Sequence, residues 1–181
     1  MAARADVGDT DPVASRPGAA ELFDRVTSDC TGLISRIALS YEADPSLRRE
    51  LIQDILLAIW VALPTFRGDS ALRTFVASIA QKRSISHVTR RAREPRQVEL
   101  SADLTSATPP PDEIAMRNDM QHQLVQAIQL LPIPQREAIV LCFEGFSYGE
   151  VADILGISTN AAMLRCQRAK TALRSIMEKK S

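Results

Sequence analysis

Apolar residues recur at three- and four-residue steps along most of the chain, and this spacing restricts the fold to helices packed on one face each. One apolar stripe runs from Leu22 to Tyr41, and a broad apolar face runs from Leu47 to Leu63. A third stripe follows Gly68 and fades at Glu94. Residues with this spacing lie on one side of an α-helix. Only 4% of the residues are aromatic, which disfavours a β-sandwich. The sequence predicts an all-α fold.

Residues 95–116 differ in composition from the helical stretches on either side. They contain three consecutive prolines, Pro109 to Pro111, among Ser, Thr, Asp and Glu residues, which is typical of an extended linker. We therefore expect a disordered tail over residues 1–19 and a small helical domain over 20–94. A flexible, acidic, Pro-rich linker over 95–116 would join it to a second small helical domain over 117–181.

The second helical stretch contains a pattern typical of a helix-turn-helix. Ser147 and Glu150 have the spacing of a capping box, and Gly156 suits the left-handed end of the short helix that follows. Ser158 then caps a last helix, whose apolar residues step by four and three from Ala162 to Ile176. A plain helical hairpin would share these signals. Polar and basic residues opposite the apolar stripe favour DNA binding.

The net charge is zero, but the charges are unevenly distributed. Residues 67–96 carry a net +6 and residues 165–181 a net +5, while the rest of the chain is acidic. One basic block alone would be explained by a solvated helix face. Two blocks, about a domain apart, are better explained by two contacts with one polyanion, because screening confines each field to about 10 Å.

Other functional classes find little support in the sequence. The three cysteines, Cys30, Cys142 and Cys166, form no CxxC pair and are expected to be buried thiols, and His87 and His122 have no ligand-like neighbours. We expect no metal, no cofactor and no enzymatic activity, because no catalytic constellation is present. The longest apolar run has nine residues, too few to span about 30 Å of hydrocarbon. A cytoplasmic protein without membrane insertion is expected.

Two stretches resemble one family. ELIQDILLAIWVALPTFRGDSALRTFVASIAQKRSISHVTRR (50–91) resembles region 2 of extracytoplasmic-function sigma factors, and LPIPQREAIVLCFEGFSYGEVADILGISTNAAMLRCQRAKTALR (131–174) is similar to their region 4. The resemblance covers roughly residues 20–92 and 120–177. It implies a dissociable subunit that binds core RNA polymerase, directs it to promoter DNA and assists melting.

The resemblance also implies site residues, in three sets. The helix that binds polymerase would present Leu51, Gln53, Asp54, Leu57 and Trp60. The side chains that hold a flipped −10 base and follow the melted strand would be Phe66, Arg67, Ser70, Arg73, Thr74, Lys82, Arg83, Ser86, His87, Arg90 and Arg91. The −35 element would meet Arg136, Tyr148, Ser158, Thr159, Asn160, Met163, Leu164, Arg165, Gln167, Arg168 and Lys170. For Trp60, a role in the core is the favoured interpretation.

The resemblance is imperfect in the last helix. Asn160 to Leu164 replace a stretch in which the family usually has a threonine hydroxyl and a lysine charge. Met163 and Leu164 would either touch thymine methyl groups or pack on a partner protein. Two alternative functions therefore stay open: a helix-turn-helix regulator that acts without polymerase, and a sigma-like decoy that binds a regulator. An inhibitory anti-sigma factor is a further candidate partner.

Overall fold

The computed structural model describes residues 18–93 and 112–179, except for the side chains of residues 112–119. The described part is helical without any β-strand, which confirms the predicted all-α class. Its α-helices are α1 (Ala19–Asp29), α2 (Thr31–Tyr41), α3 (Pro45–Ala62), α4 (Leu72–Arg93), α5 (Asp112–Gln129), α6 (Ile133–Phe143), α7 (Tyr148–Leu155) and α8 (Thr159–Glu178). A 3₁₀ turn, Leu63–Thr65, follows α3.

Two of the predicted segments lie largely outside the described residues. The tail predicted over 1–19 is described only from residue 18 onward, and the linker predicted over 95–116 only from Asp112. Helix α5 begins at Asp112, inside the segment predicted as linker.

The continuous apolar stripe from Leu22 to Tyr41 predicts one helix, and this prediction is wrong, because the chain breaks at Cys30 into α1 and α2. Cys30 has φ −113° and ψ −4°, and its amide still donates to the Val26 carbonyl at 2.9 Å. Leu22 and Val26 before the break and Ile34 after it are all buried. Since the apolar spacing continues through the bend, the sequence pattern alone could not reveal it.

Helices α1 to α4 pack their apolar stripes together, with Ile34, Ile55, Ile59 and Val76 at the centre. Asp44 caps the start of α3. The Asp44 carboxylate accepts hydrogen bonds from the amides of Ser46 at 2.8 Å and Leu47 at 3.0 Å, and proline occupies the first turn.

Helices α7 and α8, which pack on α6, form the helix-turn-helix that the sequence predicts. The Ser147 amide donates to the Glu150 carboxylate at 2.8 Å, and the Glu150 amide donates to the Ser147 hydroxyl at 3.3 Å, which completes the capping box. Gly156 ends α7 with φ +65°, a conformation that a side chain would strain. Ala152 is buried, which allows α7 and α8 to approach closely.

The three cysteines are free thiols, and two of them are buried as expected. Cys142 is only half-buried. Burial raises the pKa of Cys166 to about 12, with a further contribution from the neighbouring Cys142 thiol.

The N-terminal helices α1–α4 and the C-terminal helices α5–α8 contact each other directly, with α2 against α5 and α4 against α7. The Glu144 carboxylate, after α6, accepts two hydrogen bonds from Arg36 on α2, at 2.6 and 2.7 Å. Arg73 of α4 donates to the Glu144 carbonyl, and its guanidinium lies 4.3 Å from the centroid of the Phe146 ring. Glu144 therefore links α2 and α4 to the turn before α7.

Replacing Glu144 with glutamine is expected to favour separation of the two halves. The Arg36 side chain is 61% exposed, so solvent screening limits the pair to about 1 kcal/mol, or about a fivefold change in the closed-to-open ratio. Small-angle X-ray scattering of Glu144→Gln should give a larger radius of gyration than the wild type, and Asp153→Asn, an exposed carboxylate on α7, is the control. An unchanged scattering curve for Glu144→Gln would show that this carboxylate does not hold the halves together.

Candidate nucleic-acid interface

Helix α4 divides into a buried face and a basic outward face. Val76, Ala80 and Ser84 lie on the buried face. The exposed residues Lys82, Ser86 and Arg93 recur at steps of four and seven, which places them together on the opposite side. Arg83 and Arg90 are exposed beside them. Sequence reasoning missed Arg93, although its spacing from Ser86 was a signal that could have identified it.

His87 does not belong to this basic face, and its prediction as a DNA contact is wrong. Its side chain is 4% exposed, and Nε2 lies 2.9 Å from the Glu42 carboxylate. Arg91, predicted for the same face, donates to the same carboxylate at 2.5 Å. Although burial opposes ionisation of Glu42, the hydrogen bonds from His87, the Asp44 amide and Arg91 outweigh it and lower the pKa of Glu42.

A small cavity lies in the loop before α4, where the sequence predicts a site for a flipped base. Its volume is about 190 Å³, and the Phe66 and Phe75 rings on its wall have centroids 4.9 Å apart. Arg67 and Ser70 add a cation and a hydroxyl to the lining, which also contains Thr65 and Asp69. Aromatic rings beside polar groups can stack an unpaired base and bond its edge. Thr74 is half-buried and is not part of the lining.

Arg73 does not line this cavity, although the sequence groups it with Phe66 and Arg67. It contacts Glu144 and Phe146 of the C-terminal half instead. In this arrangement its guanidinium is engaged by the C-terminal half, although the side chain is 45% exposed.

Helix α3 presents an apolar outward face. Leu57, Trp60 and Val61 are exposed, and Gln53 and Asp54 lie one turn earlier on the same side. The Trp60 ring, 45% exposed, meets Phe23 edge-on at 5.1 Å, so the interpretation of Trp60 as a core residue is wrong. Val61 was missed by sequence reasoning.

Leu51, in contrast to Trp60, is 1% exposed and belongs to the core. It cannot contact polymerase directly, and its prediction as a contact is wrong. The helical stripe indicates this, since Leu51 lies four residues before the buried Ile55.

Helix α8 buries Ala162, Cys166, Ala169 and Leu173 and turns the opposite side outward. Tyr148, the first residue of α7, is exposed. The predicted residues that are exposed on α8 or at its cap are Ser158, Thr159, Asn160, Met163, Leu164, Gln167, Arg168 and Lys170. Arg165 is half-buried, and its Nη1 lies 3.9 Å from the Glu137 carboxylate. The Ser158 hydroxyl accepts a hydrogen bond from the Ala161 amide at 3.2 Å, so it serves the helix start.

Arg136 is buried, and its prediction as a phosphate contact is wrong. It is 9% exposed and donates to the carbonyls of Gln129 and Leu131, at the end of α5. Its guanidinium also lies 5.4 Å from the centroid of the Tyr41 ring. Burial lowers the pKa of Arg136, whose role is to satisfy the end of a helix.

The comparisons with known proteins match both halves to one family. Residues 28–94 match the model of sigma-70 region 2, and residues 121–173 match that of sigma-70 region 4. The chain is 28% identical to the RNA polymerase sigma-H factor of Pseudomonas aeruginosa over 78% of this chain and 77% of that protein. It is 25% identical to the ECF RNA polymerase sigma-E factor of Escherichia coli K12 over 68% and 70% of the two chains.

Solved structures agree with this match. The sigma factor RpoE from Bartonella quintana, in complex with the anti-sigma factor NepR, superposes with a TM-score of 0.69 and 25% identity, over 86% of this chain and 96% of that one. CnrH, in complex with the cytosolic domain of CnrY, has a TM-score of 0.67 and 22% identity, over 90% and 96%. The chain therefore belongs to the extracytoplasmic-function sigma factors of the sigma-70 family.

Two further findings concern membrane spans and metal binding among the described residues. No described helix is both long enough and apolar enough to pass through a lipid bilayer. Among residues 18–93 and 112–179, no group of three His, Cys, Asp or Glu side chains is placed to bind a metal ion.

Glu42→Gln is expected to lower the free energy of unfolding by about 1–3 kcal/mol at pH 7, because it removes a buried charge from its donors. The pKa of Glu42 is lowered in the folded protein, so the carboxylate stabilises the fold above its ordinary pKa of 4.5 and loses this effect as the pH falls through the folded pKa. Urea unfolding should therefore show the difference between wild type and variant shrinking below about pH 4.5. The exposed Glu50→Gln is the control, and a difference that stays constant with pH would contradict this assignment.

Proposed function

We propose that this chain is a non-enzymatic sigma factor that uses three outward surfaces in the cytoplasm. The α3 face, Gln53 to Val61, binds core polymerase. The α4 face and the Phe66 cavity bind the melted −10 element, and the α8 face binds the duplex −35 element. The observation that supports this most is that one apolar and two basic faces lie on three different helices, all pointing away from the core.

The α3 face has the composition of a protein-binding surface. Leu57, Trp60 and Val61 expose large apolar side chains next to one another, and a contiguous exposed apolar patch of this kind usually marks an interface. Asp54 at its edge adds a charge that can select the partner.

The α4 face and the Phe66 cavity suit single-stranded DNA. Lys82, Arg83 and Arg93 offer exposed cations to phosphates, and the Phe66 and Phe75 rings offer a stacking wall. Flipping a base costs a few kcal/mol, which stacking and polar contacts in such a cavity can offset. Promoter melting then needs no covalent chemistry.

The α8 face suits the major groove of duplex DNA. Gly156 and the Ser158 cap set the start of α8 after the short α7, as in helix-turn-helix proteins whose second helix reads bases. Asn160 and Gln167 can bond adenine edges, and Arg168 can bond phosphate or guanine. We also propose that an anti-sigma factor controls the chain, as NepR forms a complex with RpoE.

Run-off transcription with purified core polymerase on genomic promoter fragments tests this proposal against the two alternatives. A sigma factor gives specific starts only in the presence of the chain. Specific duplex binding without polymerase and without initiation would favour the helix-turn-helix regulator. Neither initiation nor DNA binding, together with capture of a regulator, would favour the decoy.

Leu57→Glu is expected to weaken binding to core polymerase at least tenfold and to abolish run-off transcripts, because it places a charge at the centre of the apolar α3 face. Leu57 is 63% exposed, so the substitution should leave the fold intact. Fluorescence anisotropy of the labelled chain with core polymerase measures the affinity. Leu130→Glu, at a leucine 65% exposed beyond the end of α5, is the matched control. Equal affinity of both variants would remove the α3 face from the interface.

Arg168→Ala is expected to weaken binding of the holoenzyme to −35 duplex and to reduce the slope of log K against log salt by about one. Arg168 is exposed on the outward face of α8, where a cation releases counterions when it meets phosphate. Lys179→Ala, exposed at the end of α8, is the control. If the Arg168→Ala slope equals that of the wild type, Arg168 makes no phosphate contact.

A further inference from the structure

The outward face of α8 has an apolar centre. Leu164 is 44% exposed, and it lies four residues after Asn160 and four before Arg168, so these three side chains follow one another along the outward side. Met163 is 38% exposed at the edge of the same face. The buried stripe through Ala162 and Cys166 lies opposite, so Leu164 has no part in the core.

We propose that Leu164, with Met163 beside it, reads thymine methyl groups in the major groove of the −35 element. This inference rests on the proposed function of α8 and adds to it the kind of base that the helix selects. Asn160 to Leu164 stand where the family usually has a threonine hydroxyl and a lysine charge. On this proposal, the replacement changes which bases the helix selects.

The surroundings of Leu164 favour DNA over a protein partner. The charged residues of α8 are Arg165, Arg168, Lys170 and Arg174, with Glu178 as the lone acid at its far end. An exposed apolar side chain on a helix whose charges are mainly positive complements an anionic surface that contains apolar groups. The major groove is such a surface, since phosphates border it and the thymine methyl is its apolar group.

The neighbours of Leu164 complete a consistent recognition pattern. Asn160 precedes it by one turn and Gln167 follows it by three residues, and both are exposed. Asparagine and glutamine bond the N6 and N7 edge of adenine in the major groove. An A·T pair presents that adenine edge next to the thymine methyl, so amides flanking an aliphatic side chain suit consecutive A·T pairs.

Uracil substitution tests the proposal, because uracil lacks the methyl group of thymine and keeps its pairing. The holoenzyme is assembled with the full chain, and its affinity is measured for a promoter identified by run-off transcription. Each thymine of the −35 element is replaced by uracil in turn. At one or two positions the affinity is expected to fall about threefold to fivefold, as for loss of one buried methyl group. Uracil in the spacer is the control.

Variants then assign the effect to a side chain. Leu164→Ala holoenzyme is expected to bind thymine and uracil duplexes equally well at those positions, while Arg168→Ala keeps the discrimination and reduces the salt slope by about one. The Met163→Ala variant measures how much of the discrimination between thymine and uracil depends on Met163. Since Leu164 is exposed, Leu164→Ala should fold, which circular dichroism checks.

The outcomes separate this proposal from the function on which it rests. If wild-type holoenzyme binds every uracil duplex as tightly as thymine while Arg168→Ala still changes the salt slope, methyl reading is wrong and −35 binding stands. If Leu164→Ala weakens binding to core polymerase or to an anti-sigma factor and leaves DNA affinity unchanged, the face belongs to a protein partner. If no promoter is bound specifically, the proposed function itself fails.

Discussion

The burial of one apolar stripe per helix is the constraint on which the rest of the structure depends. Helices of this length are marginal in isolation, so packing of the stripe determines whether and where each one forms. On α8 the stripe begins with three small residues, Ala162, Cys166 and Ala169, which bring this part of the helix close to α6 and α7. Because the fold uses only that side, the residues on the other side are free to be selected for binding.

The same constraint decides which basic residues can bind a polyanion. On α4, Lys82 and Arg93 point outward, while His87 faces the core and bonds Glu42. In the C-terminal half, Arg136 lies among buried carbonyls, whereas Arg168 is exposed. The basic blocks seen in the sequence are therefore real, but only the part of each block on an outward face contributes to the field that DNA experiences.

Local patterns made most of the helical fold predictable. The capping box at Ser147 and the glycine at 156 act within a few residues, so the sequence contains all the partners they need. Motif position alone gave wrong roles to Leu51, His87 and Arg136, because all three side chains are buried. Contacts such as Arg36 with Glu144 join residues 108 apart, and no local pattern predicts them. The bend at Cys30 was hidden because the apolar spacing continues through it.

The contact between the halves competes with the proposed use of the −10 site. Arg73 is held by Glu144 and Phe146, only a few residues from the Phe66 cavity. The packing between the halves is also incomplete, since a solvent-open groove of about 650 Å³ lies between α2, α5 and α6, with Leu124, Ile128 and Phe143 on its wall beside Arg36 and Glu144. Unfilled apolar space forfeits the dispersion contacts that would hold two bodies together. A partner that binds the separated halves more tightly than the closed form can therefore shift the equilibrium toward separation, and its binding would release Arg73 for the promoter.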